Sequence, residues 1–289
     1  MKKKLLTLLA FVMAAMTAGA FNLTVGTSEH GSIMFKVNGN EVTTADEGDV
    51  VTVICTPSTG YVANLPSGEW SAGVALARRA PSGVGILEPD FTLTPVDGVE
   101  NQWTFTMEAA DATVSMSYKK LLSNSDITIS NITAVTYNGQ AYTPAITVSD
   151  GSTPLVEGTD YTASYSYNVN ASDTARVTIT AVADNENYAG TGSKTFTISP
   201  KALETGFIAA MDTLVYTGSA QTPVPALTYV VGTDTLTLVA GTDFDVTGYE
   251  NNTNAGNNAK VSVTGKGNYS GTANKTFVIA PRPVSAGTK

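Results

Sequence analysis

The chain has 289 residues, a formal charge of −9, 14% charged residues, one histidine and one cysteine. That charge repels nucleic acid and anionic membrane surfaces. A single cysteine excludes a disulfide framework, and one histidine with one cysteine falls short of the three or four ligands of a His/Cys zinc site.

The first predicted element is a leader. Lys2, Lys3 and Lys4 form a basic start, Leu5 to Ala15 is an apolar run, and Ala18-Gly19-Ala20 is a small-residue cleavage site. Residues 1–20 therefore read as a secretory signal peptide cut before Phe21. The apolar run is shorter than the roughly 20 residues a membrane helix needs. Cleavage would leave 13 basic against 25 acidic residues, a charge of −12, and no membrane span.

Thr, Ser, Gly, Asn, Val and Tyr are plentiful, which suits strands and turns. Residues 21–120 alternate with a period of two. Val51, Val53 and Cys55 form one set, Trp103, Phe105 and Met107 another, and Val114, Met116 and Tyr118 a third. Such alternation gives each strand one buried and one solvated face. Leu121 to Asp126 reads as a linker.

An internal repeat follows. Tyr137-Asn138-Gly139-Gln140-Ala141-Tyr142-Thr143-Pro144 returns as Tyr216-Thr217-Gly218-Ser219-Ala220-Gln221-Thr222-Pro223. Gly158-Thr159-Asp160-Tyr161 returns as Gly241-Thr242-Asp243-Phe244, and Asn170-Ala171 as Asn254-Ala255. Asn187-Tyr188-Ala189-Gly190 returns as Asn268-Tyr269-Ser270-Gly271, and Lys194 to Pro200 as Lys275 to Pro281. These blocks keep their order, so two copies of one module are expected, at 125–200 and 204–281. Within the first copy Tyr161, Ala163, Tyr165 and Tyr167 define a buried face against Thr162, Ser164 and Ser166. Turn-separated strands over 75–80 residues predict a small immunoglobulin-like sandwich. Lys201 to Glu204 joins the copies. Residues 282–289 read as a tail or the start of a truncated further module.

The pattern Tyr137-x-Gly139…Pro144, Gly158-Thr159-Asp160-Tyr161, Asn187-Tyr188-x-Gly190 and Lys194-Thr195-Phe196 resembles the YDG/MBG-type immunoglobulin-like repeats of bacterial surface proteins. The second copy, with Asn251-Asn252-Thr253-Asn254-Ala255-Gly256, is similar to the same repeats. The earlier domain resembles the internalin-type B-repeat. This likeness rests on Glu47 to Val53, Thr56-Pro57 with Gly60-Tyr61, Glu69-Trp70, and Phe105-Thr106-Met107 followed by Asp111 to Val114. That resemblance implies a β-grasp-like module, with Val62 to Asn101 long for the pattern. The expected fold is thus all-β: a β-grasp-like module followed by two immunoglobulin-like β-sandwich repeats. Both resemblances imply extracellular display, and neither implies a catalytic residue set.

Residues with chemistry are few. His30, the one histidine, lies in a turn, and Cys55 is in phase with Val51 and Val53 as a buried hydrophobe. Asp160 and Asp243 recur at one repeat position, where either turn hydrogen bonding or calcium ligation would use them. Trp70, Trp103, Tyr142, Tyr188 and Tyr269 are the rings that could stack on a sugar, and of these Trp103, Tyr188 and Tyr269 read as packing residues. Trp70, with Arg78 and Arg79 nearby in the atypical segment, is the predicted ligand-binding group. No cofactor and no metal is expected. The expectation is a non-enzymatic exported protein, at the cell surface, extracellular or periplasmic, acting as spacer or adhesin-type display. Its partner would be a host or cell-surface protein or glycan. The alternative is the accessory carbohydrate-binding portion of a secreted glycan-degrading enzyme.

Overall fold

The structure is a computed structural model that describes residues 19–71, 78–80, 83–85 and 90–283. The expected leader, apart from Gly19 and Ala20, and the tail beyond Pro283 lie outside the described residues. The fold is all-β: several sheets in tandem sandwich arrangement, with a single 3-10 turn at Thr205–Phe207 as the only helical element among the described residues. No helix among them is long and apolar enough to cross a membrane. The chain forms two compact units. One holds residues up to Asn124 together with Asp184–Ala189; the other holds Ser125–Ala183 and the residues from Gly190.

In the first unit two sheets face one core. In one, Thr44–Ala45, Phe21–Val25, Ala112–Leu121, Tyr61–Trp70 and Asp90–Phe91 lie side by side in that order. The other runs Thr94–Pro95, Gln102–Thr106, Val50–Pro57, Gly31–Val37 and Asn40–Glu41. Alternation decides what each contributes. Val51, Val53 and Cys55 point inward from the second sheet, and Leu23, Ala112, Val114 and Met116 from the first, all buried in one cluster. Phe35 and Trp103 flank Val53 from its two neighbouring strands. Burying side chains of this size stabilises by about 1.5–3 kcal/mol each relative to exposure. One irregularity interrupts the first sheet: the pairing of Ala112–Leu121 with Tyr61–Trp70 shifts register between Met116 and Tyr118. An extra residue at a bulge cannot stay in phase with its face, and Leu65, opposite this break, is 73% exposed.

The second unit contains most of both repeat copies. In the first copy, Val135–Thr136, Thr191–Ser199, Ser172–Ala181 and Tyr161–Ser166 form a four-stranded sheet in that order. Leu214–Val215, Thr272–Ala280, Gly256–Gly265 and Phe244–Glu250 form the same sheet in the second copy. Val177, Ile179, Phe196 and Ile198 are buried in one; Val261, Val263, Phe277 and Ile279 are buried in the other. The smaller sheet differs. Ile127–Ile129, Val148–Asp150 and Thr153–Leu155 build it in the first copy, whereas in the second the leading strand is reduced to one bridge, Ile208 to Leu227, after the 3-10 turn.

The copies share their fastenings as well as their strands. Tyr165 Oη donates to Pro144 O and Tyr249 Oη to Pro223 O. Tyr142 N donates to Asn168 O while Asn168 Nδ2 donates back to Tyr142 O; Gln221 and Asn252 repeat this exchange. The segments read as linkers are themselves paired. In the first unit Lys120 N donates to Asn187 O and Leu122 N to Ala189 O. In the second, Lys201 N donates to Asn268 O and Leu203 N to Ser270 O. Leu122 and Leu203 are both buried. In each stretch only the first residues are strand, Leu121 in one and Lys201–Ala202 in the other, and the buried leucine follows directly.

Candidate functional site

Trp70 is placed by its strand. In Tyr61–Trp70 the alternation brings Gly68 and Trp70 to the inner face, and both are buried. The Trp70 ring lies 4.4 Å from that of Phe91, tilted by 36°, and 6.0 Å from that of Phe105, edge-on. Phe91 reaches this place because position 68 is glycine: a Cβ there would stand 2.3 Å from the Phe91 ring. Trp70 is 8% exposed, so its faces are spent on packing, and the ligand-stacking role expected for it finds no open ring face. The backbones of Arg78 and Arg79 pair with Gly85 and Val84 in a short hairpin. Their side chains lie outside what is described.

His30 sits in its predicted turn with φ 72°. Its ring stacks on that of Tyr61 at 4.1 Å with an interplanar angle of 5°. Beside it the bulge opens a shallow cleft of about 530 Å³, lined by Thr27, Glu29, His30, Leu65, Ser117 and Tyr118 among others. Ser28 Oγ and Tyr118 Oη are 3.1 Å apart. Burial pushes the Tyr118 phenol above its usual range, so that group is a neutral hydrogen-bonding partner.

Cys55 is buried, and removal from water pushes its thiol up to about 11. A thiol so placed holds its proton and is a poor nucleophile. Asp160 Oδ2 accepts Val156 N at 2.8 Å, and Asp243 Oδ2 accepts Val239 N at the same distance. Both recurrent aspartates therefore close a turn onto the backbone, as side chains of this type do. No group of three or more His, Cys, Asp or Glu among the described residues is placed to hold a metal ion.

The aromatics divide. Trp103 is buried, and Tyr269 is buried with its ring edge-on to Tyr137 at 5.5 Å. Tyr188 and Tyr142 are half-buried, and Tyr142 Oη donates to Thr136 O. Tyr167 departs from expectation. The alternation of Tyr161, Ala163 and Tyr165 assigns it to the buried face, yet it is 76% exposed with φ 54°. A left-handed residue turns the chain at the end of the strand and reverses the side-chain direction. Around Tyr167 lies a groove of about 280 Å³ lined by Asn168, Val169, Asn170, Ser172 and Thr174. Sequence reasoning missed this residue, although the second copy carries the signal: the equivalent residue is Asn251, also left-handed at φ 52°. The groove of the first copy thus presents a phenol ring at a backbone position that asparagine fills in the second. No protein-family model matches the chain, and no curated protein matches it.

Proposed function

We propose that this chain is an exported, non-enzymatic repeat protein of the cell surface, whose modules act as spacers that display a binding face. The observation that carries this reading is the duplication of the fastenings. The Asp160 and Asp243 turns, the Tyr165 and Tyr249 hydroxyl bonds, and the Asn168 and Asn252 exchanges recur together. Such reuse of a whole framework is how a chain adds length in units. The outer strand faces agree with it. Thr162, Ser164 and Ser166 are exposed, hydroxyl-bearing and uncharged, a surface that needs no catalytic cleft. The basic start and the Ala18-Gly19-Ala20 site support export.

Labelling of intact producer cells with an antibody to the purified chain tests the reading. Surface signal that external protease removes is the expected result. Signal that appears only after the envelope is permeabilised overturns it.

A further inference from the structure

The residue least explained by packing is Tyr167. It is a bulky side chain in the left-handed region, where a Cβ is disfavoured and asparagine is the side chain best tolerated. Its ring is 76% exposed. The second copy adopts the same backbone turn with Asn251 at φ 52°, so the turn itself does not call for an aromatic. Two residues on, the first copy has Val169, 38% exposed, where the second has Thr253. Both differences add apolar surface at one loop tip, and strain retained without a packing return marks a place held for another purpose.

The rest of the groove tells what would enter it. Asn168, Asn170, Ser172 and Thr174 line it, and none of them is charged. Asn168 Nδ2 is committed to Tyr142 O, which leaves its Oδ1 as an acceptor. Asn170 Oδ1 accepts from Asn268 Nδ2, which leaves the Asn170 amide nitrogen as a donor. The Ser172 and Thr174 hydroxyls lie 2.6 Å apart, and each keeps further bonding capacity. A flat ring with an apolar neighbour, ringed by amides and hydroxyls without a charge, suits a ligand with one apolar face and many hydroxyls. A charged ligand would find no counter-charge in the lining, and a polyanion would also meet the net charge of −9.

We infer that the loop around Tyr167 binds the pyranose rings of an uncharged glycan, one ring stacking on the phenol while its hydroxyls bond Asn168, Asn170 and Ser172. This deepens the display reading and rests on it for the biological setting alone. The binding test uses the purified chain, so its failure leaves the surface-labelling result standing, and the reverse holds too.

The probes are neutral tetrasaccharides of glucose, mannose, xylose and N-acetylglucosamine, with a heparin tetrasaccharide as the anionic comparison, titrated into the full chain by calorimetry and by amide NMR. The expected result is saturable binding of at least one neutral probe, with shifts at 167–174, and none of the anionic one. Tyr167→Asn weakens that binding by roughly tenfold or more, a loss of 1.4 kcal/mol or more by the usual conversion. Tyr167→Asn also unfolds no earlier than the parent, because asparagine fits the turn, so a loss of binding is not a loss of fold. Tyr167→Trp retains binding. The inference is overturned if no neutral probe binds, if the heparin fragment binds more tightly than they do, or if Tyr167→Asn binds within twofold of the parent.

Discussion

The side chain of Asn268 grips the main chain at Ala171: its Oδ1 accepts the Ala171 N–H at 2.8 Å, while its Nδ2 donates to Asn170 Oδ1 at 3.1 Å. One amide thus ties the second copy to the first. Asn268→Ala is expected to lower stability by about 1–2 kcal/mol, the usual net value of two such bonds. Hydrogen exchange at the Ala171 amide should accelerate as well. An unchanged exchange rate at Ala171 would show that the joint is held by other contacts.

Asp160 and Asp243 capture Val156 N and Val239 N in matching turns. Asp160→Ala and Asp243→Ala should each cost about 1 kcal/mol in urea unfolding. Each closes a turn in its own copy, so the two costs should add to within roughly 0.5 kcal/mol in the double variant. Millimolar calcium should leave the parent's melting temperature where it is. A marked rise on adding calcium would favour ligation over turn closure.

Trp70→Ala removes a ring from the contact with Phe91 and Phe105, and the expected cost is about 3–5 kcal/mol. Trp70→Phe keeps an aromatic in the same slot and should cost less. Thermal unfolding of the two variants separates this packing role from a ligand role. A Trp70→Ala protein as stable as the parent would refute it.

Cys55 gives a pH signature. Its thiol is pushed from 9.0 to about 11 by burial, so between those values the unfolded chain has lost a proton that the folded chain keeps. Stability therefore falls as pH rises through this window, by about 1.4 kcal/mol per unit at most for this one group. Cys55→Ala should make the fall between pH 9 and 10 shallower than the parent's, because the tyrosines, whose unfolded phenols ionise near 10, contribute to both proteins alike. Equal slopes for parent and variant in that interval would contradict the assignment.

The sequence made the strands and the duplication legible for a local reason. Turn residues such as Asp160 and Asp243, and alternating sets such as Val51, Val53 and Cys55, act over a few residues and leave a periodic trace. Pairings between distant segments leave none. Leu121 to Asp126 looked like a linker because Leu122 is buried through a partner, Ala189, that lies far along the chain. The packing of Trp70 on Phe91 is not legible either, because Phe91 reaches it only through the gap at Gly68, a fit that no spacing rule encodes. Tyr167 was assigned inward by extending a period of two one step beyond the strand, and its φ of 54° breaks that phase. Comparison with Asn251 held the clue, since asparagine at that site announces a left-handed residue.

In each four-stranded sheet the strands that come first and last along the chain are neighbours and run parallel: Val135 pairs with Ile198 in one copy, and Leu214 with Ile279 in the other. Tension along the backbone draws such neighbours in opposite directions. Their hydrogen bonds then stretch together in shear instead of opening one after another from an end. Each copy is accordingly built to resist pulling at its termini more strongly than an unzipping hairpin of the same size would.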